Sequence, residues 1–226
     1  MDSSPAFRVI SRALAGTAVV LLTALAPPAV AADGPPSPTA VATTGPYAAP
    51  SDRTDPRTAT ADLTIPSIGV TDLPVVPYEG TTDDTPGTRI QNRGVAASPY
   101  GEDGGVGPGE VGNYLVTAHR IAYGGPLYDL PSLDEGGSVL VEEDGTVYEY
   151  RITETRQTSF RSERSLTEQR AEVPGEPGQK PTRAMITIST CATPEDEAAG
   201  NHWRDAHDNP EHRIDKIGVL VSSRPS

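Results

Sequence analysis

Short runs of apolar and β-branched residues, separated by Gly, Pro and Asp, follow one another from residue 61 to the end of the chain. Runs of this length between turn residues are typical of β-strands. The pattern predicts strands over residues 61–65, 70–74, 114–118, 138–143, 146–153, 185–191 and 214–222. We therefore expect an all-β domain that closes into a barrel of about eight strands, with only short helices.

Local signals refine this pattern. The Asp144-Gly145 pair between two strand runs is typical of a β-hairpin turn. Helical periodicity is weak and is found only over residues 162–172, with a further short helix possible at 127–133. The glycine-rich stretch 101–112 is predicted to be a loop.

The N-terminus has the pattern of an export signal. Arg8 and Arg12 precede an uninterrupted apolar stretch over residues 13–26, and a small-residue Ala-Val-Ala site ends at Ala31. The apolar stretch is shorter than the roughly 20 residues of a spanning helix. Residues 1–31 are thus predicted to be either a cleaved signal peptide or a retained membrane anchor, and the sequence is compatible with both.

A polar spacer is predicted between this segment and the folded domain. Residues 32–59 are rich in Pro, Ala, Ser and Thr and have few large apolar side chains. Such a segment cannot bury enough surface to offset the entropy of ordering, so we expect it to be disordered. The folded, catalytic domain is expected over residues 60–226.

Composition narrows the function classes. The chain of 226 residues has a net charge of −13, which disfavours binding to a phosphate backbone. Its 22 Gly and 23 Pro exclude a long helical or coiled-coil protein. Cys191 is the only cysteine, so neither an internal disulfide nor a cysteine-cluster metal site is possible.

Three strand ends carry side chains suited to acyl transfer. The run 113–120 leads to His119, the run 187–191 ends in Cys191, and Arg213 opens the last predicted strand. A thiol attacks an amide only as its thiolate and needs a base nearby. The histidine supplies this base, and an arginine can stabilise the oxyanion that forms.

These residues resemble the sortases, the cysteine transpeptidases of Gram-positive cell surfaces. Residues 187–191 match the family motif T-L-x-T-C with Ile188 in place of Leu, and Ala118 stands where Gly usually precedes the histidine. The residues after His119 are most similar to those of actinobacterial class E sortases. The resemblance extends over about residues 60–223.

The resemblance implies a function. The enzyme would cut an LPXTG- or LAXTG-like C-terminal sorting motif between Thr and Gly and join the acyl-enzyme to a cell-wall amine. Its partners would be surface proteins that carry the motif and a peptidoglycan precursor that supplies the amine, at the extracellular face of the membrane or in the cell envelope. The expected reaction needs neither a cofactor nor a metal.

The resemblance also implies roles for individual residues. Cys191 would be the nucleophile, His119 the proton donor and acceptor, and Arg213 the stabiliser of the oxyanion or the substrate. Thr190, Ala118 and Tyr123 are expected in the peptide groove.

Two alternatives remain open from the sequence. An L,D-transpeptidase that acts on peptidoglycan also has histidine before cysteine, but its cysteine lies in a Ser-x-Gly-Cys-x-Arg context that the Ala192-Thr193-Pro194 sequence does not match. A non-enzymatic exported β-domain, such as an adhesin module, would carry Cys191 as an inert buried thiol.

Overall fold

A computed structural model describes residues 55–226. The predicted signal or anchor and residues 32–54 of the predicted spacer lie outside the described residues. The described strands are β1 (Ala61–Ile65), β2 (Val70–Glu79), β3 (Ala96–Tyr100), β4 (Gly112–Thr117), β5 (Ser138–Glu143), β6 (Thr146–Ser159), β7 (Ala184–Cys191) and β8 (His212–Pro225). The helices are α1 (Thr85–Gln91), α2 (Glu163–Arg170) and α3 (Thr193–Ala198).

The eight strands form a closed barrel in the order β1-β2-β3-β4-β7-β8-β6-β5, and β5 pairs again with β1. Two of the neighbouring pairs, β2 with β3 and β4 with β7, are parallel, and the others are antiparallel. Closure leaves every strand with two neighbours. The all-β barrel predicted from the sequence is confirmed.

Alternation along β4 and β7 decides which side chains face the core. Tyr114 and Val116 of β4, with Ile186 and Ile188 of β7, belong to the apolar interior. Since successive side chains of a strand point to opposite faces, the remaining positions lie on the outer face of the barrel. Cys191 is in this outer set.

The sequence analysis did not predict the strand β3 or the helix α1. The sequence of β3, Ala-Ala-Ser-Pro-Tyr, has no β-branched residue, so it lacks the usual strand signal. The helix α1 spans only seven residues, two of which are Pro and Gly. It begins because the Asp84 carboxylate caps it by accepting from the Gly87 amide at 2.7 Å. A Cβ at Gly87 would collide with the Tyr78 hydroxyl.

The other predicted elements are present, with different lengths. The predicted strand over residues 70–74 extends to Glu79, the one over 146–153 extends to Ser159, and the last strand runs over His212–Pro225. The weak helical pattern corresponds to α2, and the possible helix at 127–133 is a 3-10 turn over Leu130–Ser132.

The described chain begins with a turn against the barrel. Arg57 forms an ion pair with Glu110 at 2.9 Å, and the backbone at Pro56 leaves no room for a side chain on Gly107. Among residues 55–226, no helix is long and apolar enough to cross a membrane.

Candidate functional site

The parallel pairing of β4 and β7 brings the histidine and the cysteine together. Thr117 is opposite Ser189 in this ladder, and the Ala118 amide donates to the Ser189 carbonyl at 3.2 Å. Two residues further along lie His119, just beyond the end of β4, and Cys191, the last residue of β7. Two residues 72 positions apart in the sequence therefore end at the same rim of the barrel.

The antiparallel pairing of β7 and β8 adds the arginine. Cys191 and Arg213 are direct partners in the register of this ladder. Directly opposed residues of an antiparallel pair have their Cα atoms about 5 Å apart and their side chains on one face. The structure thus brings together the three residues that the sequence analysis selected.

A cleft of about 500 Å³ opens at this rim, and both His119 and Cys191 line it. The lining includes residues from α1 and the position after it, and from the segment between α3 and β8. The remaining lining residues are Thr88, Asn92, Arg120, Ile121, Ala122, Tyr123, Thr193, Glu197, Arg204, His207, Asp208, Asn209 and Pro210.

Arg213 lies behind the cleft. Its side chain is 2% exposed, and its guanidinium carbon lies 4.0 Å from the centre of the Phe160 ring. Nη2 donates to the Asp83 carboxylate at 3.3 Å. Nη1 is buried and has no hydrogen-bond partner within residues 55–226. One end of the guanidinium is therefore held while the other keeps an unused donor.

Asp83 belongs to the loop between β2 and α1, and its neighbours fix this loop. Asp83 has a left-handed backbone with φ of 63°, which is uncommon outside glycine. On one side, the Thr82 hydroxyl donates to Gln169 of α2 at 3.1 Å. On the other side, Asp84 caps α1 and accepts from the Thr81 amide at 3.1 Å. The carboxylate of Asp83 is thereby directed at the arginine.

The environment shifts the pKa values of both cleft residues. Burial raises the pKa of the Cys191 thiol, Arg213 opposes this by favouring the thiolate, and Asp83 adds to the rise. Burial lowers the pKa of His119, which Asp83 raises and Arg213 lowers further. The neutral thiol and neutral imidazole are therefore both favoured in the protein alone.

Two contacts hold the imidazole of His119. The Tyr123 ring stacks on it with centroids 5.2 Å apart and an angle of 24° between the planes. Nε2 lies 2.8 Å from Oδ1 of Asn92, the residue that follows α1. The sequence analysis found Tyr123 but missed Asn92, Asp83 and Phe160, since none of them belongs to a motif.

The family of the chain follows from comparison with known proteins. The family model for the sortase domain matches residues 63–204, which is more than half of the chain and includes His119 and Cys191. The chain belongs to the sortase family. It is a cysteine transpeptidase, and this assignment replaces the L,D-transpeptidase and adhesin alternatives.

Solved sortase structures have the same fold. Sortase E1 from Streptomyces coelicolor, solved with a tripeptide in the active site, has 22% identity and a TM-score of 0.55 over 76% of this chain and 94% of that chain. Sortase E from Streptomyces avermitilis has 25% identity and a TM-score of 0.53 over 76% and 93%. The SrtA sortase from Actinomyces oris has 21% identity and a TM-score of 0.55 over 74% and 82%. The Streptomyces structures are consistent with a class E-like sortase, and no curated protein matches the sequence significantly.

Two residues expected in the peptide groove of this sortase lie beneath it instead. Thr190 is 1% exposed and Ala118 is 2% exposed, and neither lines the cleft. Both occupy positions that alternate with the outer set, so their side chains turn inwards. The Thr190 hydroxyl donates to the Ala118 carbonyl at 2.8 Å and ties the two strand ends together. Tyr123, by contrast, lines the cleft and is 57% exposed.

A buried polar network holds α2 on the outer face of the sortase barrel. Gln169 of α2 donates through Nε2 to Asp215 at 2.9 Å and to Ser189 at 3.2 Å. Thr158 donates to the other oxygen of Asp215 at 2.6 Å. Because Gln169 also accepts from Thr82, the network connects α2, three strands and the loop that carries Asp83.

An ion pair connects the chain segments that follow β4 and β7. Arg120, which follows His119, donates from both terminal nitrogens to Glu195 of α3 at 3.1 Å. A two-pronged pair of this kind fixes direction as well as distance. It ties the segment after Cys191 to the segment that carries His119. Within residues 55–226, no group of three His, Cys, Asp or Glu side chains has the arrangement of a metal site.

Proposed function

We propose that this sortase cuts an LPXTG- or LAXTG-like sorting motif between Thr and Gly and transfers the new acyl end to a cell-wall amine. In this mechanism Cys191 is the nucleophile, His119 the proton carrier and Arg213 the oxyanion stabiliser. The observation that carries the proposal is the convergence at one rim: His119 and Cys191 line one cleft, and Arg213 is the register partner of Cys191.

The first step forms the acyl-enzyme. The Cys191 sulfur attacks the carbonyl carbon of the threonine, and a C–S bond forms as the carbonyl oxygen becomes an oxyanion. Nη1 of Arg213, which has no partner within residues 55–226, is the donor for this oxyanion, since Nη2 is occupied by Asp83. His119, which has taken the thiol proton, gives it to the glycine nitrogen as the C–N bond breaks.

The second step transfers the acyl group. The acceptor amine attacks the thioester, a new C–N bond forms and the C–S bond breaks. His119 takes the proton released by the amine and returns it to the departing sulfur. Over the two steps one amide bond is broken and one is formed, and Cys191 and His119 return to their starting protonation states.

The size of the cleft and its lining suit a short peptide. Its volume of about 500 Å³ lies within the range of small-ligand sites. The exposed Tyr123 ring beside His119 gives apolar contact area for a side chain of the motif. The sortase E1 structure solved with a tripeptide in its active site supports peptide binding here.

Sortases are typically associated with the cell envelope. The predicted export signal over residues 1–31 supports the same location for this chain. Its partners in this proposal are motif-bearing surface proteins and a peptidoglycan precursor that supplies the amine.

A peptide panel tests the proposal. Full-length protein is incubated with fluorescent peptides that contain LPXTG or LAXTG, with and without an amine acceptor, and the products are identified by mass. We expect a product that ends in threonine and is joined to the added amine. The Cys191→Ala variant should form no such product. Its melting temperature should equal that of the wild type, which shows that the loss of product is not a loss of folding.

The panel also separates the alternatives. A threonine-terminated product with free carboxylate, in unchanged amount when amine is added, would identify a peptidase and contradict the proposed transfer. Cleavage of neither motif would overturn the proposed substrate class.

A further inference from the structure

The end of α1 places an amide against the imidazole of His119. Oδ1 of Asn92 lies 2.8 Å from Nε2, a good hydrogen-bond distance, although the two residues are 27 positions apart. The contact joins a short helix, which no sequence pattern predicted, to the end of a core strand.

The chemistry of the two atoms fixes the position of a proton. An amide oxygen only accepts hydrogen bonds, so Nε2 must carry the hydrogen. The neutral tautomer with its hydrogen on Nδ1 would instead place two lone pairs 2.8 Å apart. Nδ1 is then the nitrogen left to take and give a proton.

We propose that Asn92 is a positioning residue that holds the Nε2–H tautomer of His119 and reserves Nδ1 for exchange with the Cys191 thiol. The proposal rests on the proposed function, in which His119 carries the proton. Asn92 itself touches no reacting atom.

The scaffold around Asn92 is suited to this role. Its backbone amide donates to the Thr88 carbonyl at 2.9 Å, which continues the helix. The preceding residue, Gln91, is 4% exposed and donates through Nε2 to the Thr117 hydroxyl of β4 at 3.2 Å. Helix α1 is thus bonded to the strand that leads to His119, so amide and imidazole are held on one rigid unit.

The second constraint on the ring comes from a different direction. Tyr123 stacks against its face, whereas Asn92 holds its edge. A stacked neighbour restricts tilting but allows rotation within the plane of the ring. The bond to Asn92 therefore determines that Nε2 faces the amide and that Nδ1 is left for the Cys191 thiol.

The amide has a further consequence for charge. Asp83 and Arg213 act on the charge of the ring, and Cys191 and Tyr123 lie beside it. The other ionisable residues that line the same cleft are Arg120, Glu197, Arg204, His207 and Asp208. A carboxylate at position 92 would add a second negative charge and favour the imidazolium. An amide orients the ring without adding charge.

Nitrogen NMR of the full-length protein labelled with 15N-histidine tests the tautomer. The chain has four histidines, so the signal of His119 is assigned by its loss in His119→Gln. Above the pKa of His119 we expect the hydrogen on Nε2, with a slowly exchanging proton. In Asn92→Ala this proton should exchange with water too fast to be seen. A hydrogen on Nδ1 in the wild type, or an unchanged signal in Asn92→Ala, would overturn the proposal.

Kinetics give a second, independent readout. Asn92→Ala should lower kcat for acylation by about 10- to 100-fold with little change in KM, because a misoriented base loses geometry and not substrate affinity. Asn92→Asp should recover part of kcat and move the histidine limb of the pH profile to higher pH. Equal rates in Asn92→Ala and wild type would contradict the assignment.

Controls separate this inference from other failures. Arg93→Ala changes an exposed neighbour outside the cleft and should leave the NMR signal and kcat unchanged. If Asn92→Ala does not fold, the pH profile of the nearly isosteric Asn92→Asp decides the question, and an unshifted profile contradicts the proposal. Absence of amine transfer by the wild type would refute the proposed function, whereas the NMR result depends on Asn92 alone.

Discussion

The Asp83 carboxylate lies 3.3 Å from Nη2 of Arg213 and opposes its effect on the cleft. Arg213 lowers the pKa of both Cys191 and His119, whereas Asp83 raises both. The arginine is therefore not a free positive charge beside the thiol. Its charge is partly compensated by an acidic residue that the loop between β2 and α1 holds in place.

Asp83→Asn should lower the pKa of the Cys191 thiol. The variant keeps an oxygen near Arg213 but removes the negative charge that disfavours the thiolate. More thiolate is then present at pH 7, so alkylation by iodoacetamide should be faster, and its pH profile should move to lower pH. The measurement is the alkylation rate of Cys191 from pH 5 to 10. Asp62→Asn makes the same charge change at an exposed site on β1 and should leave the profile in place, and an equal shift in both variants would refute a local effect.

Arg213→Gln should have the opposite effect on the thiol. Loss of the guanidinium removes the charge that favours the thiolate, so the alkylation profile should move to higher pH. Peptide transfer should fall by about 100- to 1,000-fold, the range for loss of one oxyanion donor. Arg213→Lys keeps the charge but not the planar fork, so it should restore the alkylation profile more fully than the transfer rate. Transfer at the wild-type rate in Arg213→Gln would remove Arg213 from the mechanism.

Much of the barrel could be predicted from local patterns. The strands with β-branched residues, such as β1 and β7, have the correct position because apolar alternation is a property of a few neighbouring residues. The strand β3 and the helix α1 were missed for the same reason. Their residues have weak local preferences, and pairing with β2 or capping by Asp84 determines their structure.

The residues of the candidate site also fall into those that local sequence patterns predict and those that they do not. His119, Cys191 and Arg213 could be found because each lies at the end of a recognisable strand or motif. Their partners could not be found, since Asp83 and Asn92 follow no period and their contacts span 130 and 27 positions. Asp83 and Asp84 belong to no motif that the sequence analysis identified, although one residue pairs with a buried arginine and the other caps a helix.

Stability should depend on pH through Glu143, which is 6% exposed. Burial, with the nearby charges of Asp144 and Glu110, raises its pKa to about 7 from an ordinary value of 4.5. Between these values the folded protein holds a proton that the unfolded chain releases, so the free energy of unfolding falls as pH rises from 4.5 to 7. Glu143→Gln should lack this loss and gain stability relative to wild type at pH 8, measured by urea unfolding at several pH values. Glu142→Gln, its exposed neighbour, is the matched control, and parallel pH curves for wild type and Glu143→Gln would contradict the assignment.

Gln169→Leu should destabilise the protein and disturb the cleft from a distance. The leucine fills similar space but leaves Thr82, Ser189 and Asp215 without the amide that joins them. A buried polar group left unsatisfied costs about 1–3 kcal/mol, so we expect a loss of about 3 kcal/mol or more in urea unfolding. Thr82 precedes Asp83, so loss of the Thr82–Gln169 hydrogen bond should loosen the loop that holds the Asp83 carboxylate beside Arg213. The alkylation profile of Cys191 should therefore move in the same direction as in Asp83→Asn, by a smaller amount.

Gln179→Leu, at an exposed position, controls for added apolar surface. A Gln169→Leu variant as stable as Gln179→Leu would refute the network as a support for α2.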